Sequence, residues 1–247
     1  MTKNKAIIDD GMNPELVSGA SFDGILEIPI IHKPNELIIP KGITPFSQRK
    51  RIQNNNEAIG FYEHDGEFAN LLANPYAYVD ELKKHIVISP DCSMYRNAPL
   101  AAQITNLYRN RAIGVFLQQH GVYVIPQVRW GTELTYTIRV FHERIPCLGV
   151  EQEIIVAIGT NGCIDGFENK YHFEAGLDAM LQTLLLKIVL VYGAMPEKRQ
   201  RIMNAPFCGV KVIEKVGSLR FWSSREGLWI PPWATNEFSQ ARQWLTR

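Results

Sequence analysis

Cysteine is scarce in this sequence and badly spaced for chemistry. Cys92, Cys147, Cys163 and Cys208 form no C-x-x-C pair, which excludes a zinc ribbon or a thioredoxin-like motif. No sign of charge dominates. Twenty-six Lys and Arg face 25 Asp and Glu, for a net +1, so no global electrostatic footprint points to nucleic acid or to a membrane surface. No long apolar stretch follows the lysines of MTKNKAIIDDGMNPELVSG, so the N-terminus does not read as a secretion signal. No run approaches the roughly 18 apolar residues of a membrane span. Dispersed cysteines without a signal predict reduced thiols and a cytosolic setting. G-x-G-x-x-G, P-loop and G-x-S-x-G patterns are missing too, as are 20–50-residue repeats and low-complexity tracts.

What the sequence does have is rhythm. A 247-residue chain with 46% hydrophobic and 21% charged residues can bury a sizeable core without disulfides. From residue 58 onward, short apolar runs alternate with amphipathic helical stretches. Five strands are predicted, at 58–65, 85–91, 122–130, 154–160 and 187–193. HIVISPD and EIIVAIGTNG are continuous apolar runs of the kind buried on both faces of a parallel sheet. The clearest helix runs from Pro99 to Gln119, with Gly121 beyond its end. Ala101, Ile104, Tyr108, Ala112 and Val115 form its apolar stripe, and Arg111 falls in register with them, so it needs a buried partner such as Asp91 or Asp65. A helical stretch over 67–84 is broken by Pro75, and PEKRQRIMN makes a last, basic helix. Such alternation predicts an α/β fold with a mostly parallel sheet, doubly wound or a partial β/α barrel. Three segments follow: an irregular arm over 1–57 that does not stand alone, an α/β core over 58–206, and a tail over 207–247 packing on it. Four of the five tryptophans, Trp222, Trp229, Trp233 and Trp244, lie in the tail.

Ligands of parallel α/β sheets bind beyond the carboxyl ends of the strands, where helix N-termini offer free N–H groups. Those ends here carry His64 and Asp65, Asp91, Arg129, Thr160 and Asn161, and Tyr192. Asp65, Asp91 and Tyr192 are the catalytic candidates. Paired carboxylates can hold a divalent metal or divide acid and base work, although either Asp can equally cap its turn. Arg129 with Trp130 suits an anion beside an aromatic wall, and Gly159-Thr160-Asn161-Gly162 can bring backbone N–H groups to a phosphate. Arg111 completes the ligand-binding set. No metal-ligand spacing is diagnostic, and the sequence names no cofactor. Cys92 and Cys163 follow strand ends without a motif that supplies a base.

SPDCSMYRNAPLAAQITNLYRNRAIGVFLQQHGVYVIPQVRWG, followed by IVAIGTNGCI and IVLVYG, resembles a family of phage, prophage and plasmid proteins, mostly from Gram-positive bacteria, catalogued as a domain of unknown function. The first strand of that family reads as an aromatic run ending in two aspartates before a Phe. FYEHDGEF matches it with His64 in place of the first Asp. The resemblance covers roughly residues 58–194, leaves the arm and the tail outside, and implies a mobile-element origin. Three functions remain open. The first is binding, with hydrolysis or transfer, of a phosphorylated small molecule such as a nucleotide at the strand ends. The second is a nucleic-acid-binding accessory role in replication or recombination through Arg49–Arg51, Lys198–Arg201 and the tryptophans, with steep salt dependence. The third is binding of a host protein through the tail.

Overall fold

The computed structural model of the chain describes residues 13–53, 56–195, 210–215 and 219–224. The strands are β1 (Phe22–Asp23), β2 (Ile28–Pro29), β3 (Gly42–Pro45), β4 (Glu57–Gly60), β5 (Ile86–Ile88), β6 (Tyr123–Ile125), β7 (Ile155–Gly159), β8 (Ile188–Tyr192), β9 (Val210–Lys215) and β10 (Leu219–Ser224). The helices are α1 (Ala69–Ala73), α2 (Val79–Leu82), α3 (Leu100–Gln119), α4 (Glu133–Tyr136) and α5 (Gly166–Leu184). None of the described helices is long and apolar enough to cross a membrane.

β3-β4-β5-β6 form one parallel ladder, and β7-β8-β10-β9 form another in which β10 is antiparallel to both neighbours. A parallel bridge, Gln127↔Ala157, joins them just past β6, with Val128 N–H donating to Ala157 O at 2.9 Å and Ala157 N–H to Pro126 O at 3.0 Å. β3 to β8 thus run in chain order, all parallel. Without a reversal there is no doubly wound switch point, and every crossover returns over the same face. Val87 and Val124 meet Leu71, Leu82 and Phe116 on that face. Val156 and Val189 meet Leu177 and Met180 of α5 there.

The opposite face explains the curvature. Ile43, Ala58, Ile88, Ile125, Ala157 and Leu190, one from each parallel strand, share a single cluster. Tyr62, just past β4, stacks on Tyr192 of β8 with ring centres 4.9 Å apart. Four strand spacings in a flat sheet would separate them by about 19 Å. The sheet is therefore curled like part of a barrel, and it stays open.

Several strands are shorter than the apolar runs predict. Pro90 and Pro126 lack an N–H and end the ladders after β5 and β6. Ser89 Oγ then accepts the Gln127 N–H at 2.8 Å, a side chain standing in for the backbone. The 67–84 stretch breaks at Pro75 as expected, into α1 and α2 with 3-10 turns at Asp65–Phe68 and Pro75–Tyr78, because Pro75 cannot continue the preceding turn. α3 matches its predicted span closely, but its stripe does not. Ala101 is exposed and Ile104 and Tyr108 are half-buried, whereas the 110–117 segment is buried all round. The cause is the arm, which covers the helix's second face. Gly114 is where they cross: a Cβ there would sit 2.3 Å from Ile31 Cδ1. The arm also supplies β3 as an edge strand, so the sheet begins before residue 58. β9 and β10 extend the other edge, with Trp222 in register with Val189. The helix predicted at PEKRQRIMN, Lys198–Arg201, Cys208, and Trp229, Trp233 and Trp244 lie outside the described residues.

Candidate functional site

A cleft of about 740 Å³ opens at the carboxyl ends of β4 to β7, within the roughly 300–1,000 Å³ of small-molecule sites. Its lining includes Tyr62 and His64 after β4, Asp91 and Ser93 after β5, Arg129 and Trp130 after β6, and Gly159, Asn161 and Gly162 after β7. His172 and Phe173 of α5 close one wall. Of the predicted set, the cleft gathers Asp91, Arg129, Trp130, Gly159, Asn161 and Gly162. Asp65, Arg111, Thr160 and Tyr192 lie outside its lining.

Asp91 and Arg129 form a buried ion pair, their side chains 5% and 21% exposed. The second carboxylate oxygen of Asp91 accepts from Gln127 Nε2 at 2.7 Å. Burial pushes the Asp91 carboxyl up and the Arg129 guanidinium pulls it back. The Arg129 guanidinium is itself held above its ordinary value, chiefly by Asp91. The pair extends into a polar network. Gln127 Oε1 accepts from Asn110 Nδ2 at 2.9 Å, and Asn110 Oδ1 accepts from Ser89 Oγ at 2.9 Å and from Arg111 at 2.5 Å.

Arg111 itself is fully buried, and neither predicted carboxylate is its partner. Its guanidinium donates to the carbonyls of Leu148 at 2.9 Å, Gln127 at 2.6 Å and Pro146 at 3.0 Å. Burial lowers its pKa to about 10, so it remains a cation at neutral pH. Asp65 accepts from Ser93 Oγ at 2.7 Å and from Ser93 N–H at 3.2 Å. That ties the 3-10 turn after β4 to the loop after β5 and places the two carboxylates close enough for Asp65 to raise Asp91 further. Thr160 is buried, its N–H donating to Tyr192 O at 3.0 Å.

Sequence reasoning passed over Tyr62, Ser93 and His172. The Tyr62 ring lies flat on Tyr192, and a Cβ on Gly159 would come 2.5 Å from its Cδ1. Glycine at that strand end is what admits the ring. His172 Nδ1 is 2.9 Å from the buried Tyr136 hydroxyl, and Trp130 Nε1 donates to His172 O at 3.0 Å. Trp130 also packs on Phe173, centres 5.5 Å apart, so the aromatic wall is fixed from behind. Periodicity points to strand ends, and His172 lies inside a helix, where periodicity marks it only as a face residue. Cys163 sits beside Arg129, with Nη2 to Sγ at 3.4 Å, yet burial pushes its thiol up, which favours an inert thiol over a nucleophile. Among the described residues no group of three or more His, Cys, Asp or Glu is placed to hold a metal ion. Arg49 of the basic cluster packs over Phe46 at 4.1 Å and pairs with Glu81 at 3.1 Å, so it serves the fold.

Two curated relatives were found for comparison. The chain is 29% identical over 143 residues to the "Gene 1 protein" of Mycobacterium phage L5, an alignment covering 57% of this chain and 59% of that protein. It is 27% identical over 140 residues to the "Gene 1 protein" of Mycobacterium phage D29, covering 56% and 49%. The chain therefore spans about half to three-fifths of the length of these relatives. No solved structure matches. The family profile described as a domain of unknown function, DUF4417, matches residues 20–207. That span takes in most of the arm, which the resemblance had left outside. Ile31, bridged to Val150 and packed on α3, shows physically why the arm belongs with the rest. With this profile matching most of its length, the chain belongs to the DUF4417 family.

Proposed function

We propose that the strand-end cleft binds a phosphorylated small molecule, a nucleotide. The observation that carries this reading is the pairing of a largely buried guanidinium, Arg129, with an aromatic wall, Trp130 and Phe173, in one cleft of ligand size. A guanidinium fork matches phosphate oxygens, and an indole offers a face to a base. Asn161 and Gly162 line the same side, next to the start of α5. In this reading Asp91 holds and orients Arg129, Asp65 fixes the Ser93 loop, and Tyr192 positions Tyr62. Proton transfer during hydrolysis or group transfer falls to His172, whose ring is oriented through Tyr136.

Isothermal titration calorimetry with nucleosides and their mono-, di- and triphosphates tests the reading. Phosphorylated forms are expected to bind and nucleosides to bind far more weakly. Arg129→Lys keeps the charge but loses the fork, and should weaken binding about tenfold, or about 1.4 kcal/mol. Absence of binding by every nucleotide at millimolar concentration would sink it.

A further inference from the structure

Among the described residues lining the cleft, the Tyr62 hydroxyl is the one buried side-chain polar atom without a hydrogen-bond partner. Buried hydroxyls are ordinarily bonded, and an orphaned one costs folding free energy. The ring cannot easily turn to relieve the shortage. It lies on Tyr192 at 4.9 Å and 11° on one side, and its edge presses into the space that Gly159 leaves. Asp91 and Arg129 are near enough for both charges to act on the phenol. The donor is thus held by stacking and unused, on a side chain that lines the cleft together with Arg129.

We infer that the Tyr62 hydroxyl donates to an anionic oxygen of the bound ligand, a phosphate oxygen, and so is a specificity-determining residue of the site. The inference rests on the nucleotide reading above and assigns the phosphate to the Tyr62–Arg129 end, with the base toward Trp130. Burial and the Asp91 carboxylate hold the phenol well above its ordinary pKa, so it stays protonated and acts as a donor across the physiological range. Strain of this kind, kept in the free protein and relieved by the ligand, is a recurrent property of binding sites.

Tyr62→Phe separates this role from a structural one, because it removes only the oxygen. Its unfolding midpoint in urea is expected to equal or exceed that of the wild type, since no internal bond is lost. Its affinity for the four nucleoside monophosphates should fall at least tenfold by calorimetry, while binding of the parent nucleosides is unchanged. A variant less stable than the wild type would show that the hydroxyl has an internal partner, and would overturn the inference. Unchanged affinity for a monophosphate that the wild type binds would overturn it too, leaving the nucleotide reading intact. A parallel loss for the nucleoside would place the contact on sugar or base and overturn the phosphate assignment. If the wild type binds no nucleotide, both readings fall together.

Discussion

Two buried arginines, 18 residues apart in the chain and joined by one polar network, do different work. Arg111 lies under the arm at the centre of α3, and its donors end on main-chain carbonyls from the 127 and 146–148 segments. Arg129 lies at the cleft, with one edge on the Asp91 carboxylate and part of its side chain still exposed. The first environment is made of neutral dipoles that close around the cation, so nothing is left for a ligand. The second balances a charge with a charge and keeps one side open. An arginine surrounded by carbonyls fastens chain segments together; one balanced by a single carboxylate at a cavity can also grip an anion. A buried arginine is informative about function only through the chemistry of what accepts from it.

The sharpest way to break the comparison is to remove each cation. Arg111→Met leaves three buried carbonyls without their donor and should cost about 4 kcal/mol in urea unfolding, independent of any ligand. Arg111→Lys should recover little, since an ammonium cannot reach all these acceptors at once. Arg129→Met leaves Asp91 buried beside Gln127 alone and should cost about 3 kcal/mol at pH 8. This second deficit depends on pH, and its direction follows from Asp91. Burial already raises that carboxyl, and the variant deletes the group that pulls it down. The folded chain then holds its proton to higher pH than the unfolded chain. The variant therefore loses stability as pH rises from the ordinary carboxylate range through the raised value, and regains part of it on acidification. A pH-independent deficit for Arg129→Met would mean that solvent reaches Asp91, and the contrast between the two arginines would fail.

The same contrast marks what could be read from residues alone. Strand-end logic picked out the cleft-lining residues Asp91, Arg129, Trp130, Gly159, Asn161 and Gly162, because parallel strands deliver their last residues to one edge whatever the details of the fold. Arg111 was legible as buried and in need of partners, but not as bound by carbonyls. Two of the three belong to a loop 35–37 residues away, whose return beneath α3 follows from the arm and from no local pattern. The predicted stripe of α3 failed for the same reason: a helix covered on two sides has no single apolar face. Tyr62 was hidden by curvature. Its partner Tyr192 is 130 positions later in the chain, and only a curled sheet brings them into contact.

A smaller test acts on that curvature. Gly159→Ala places a Cβ against the Tyr62 ring, 2.5 Å from Cδ1. Overpacking of this kind costs about 1–3 kcal/mol, and here it should also push the ring off Tyr192. The expected result is a loss of stability together with weaker monophosphate binding. Stability lost with binding intact would separate the stacked pair from the site.

The two aspartates make the smallest test. Asp91 is balanced by a cation, whereas Asp65 accepts from one serine through hydroxyl and main-chain N–H. Ser93→Ala removes the hydroxyl alone. The main-chain bond at 3.2 Å remains, and Asp65 is only half-buried, so water can take the vacated lone pair. A single hydrogen bond under these conditions contributes about 1 kcal/mol, and urea unfolding should show a loss of about that size. Binding discriminates further. If Asp65 only ties two loops together, Ser93→Ala should shift nucleotide affinity by less than Arg129→Lys does. A larger loss of affinity than of stability would move Ser93 from the scaffold into direct contact with the ligand, and the division between fastening and gripping groups would have to be redrawn one loop nearer the mouth of the cleft.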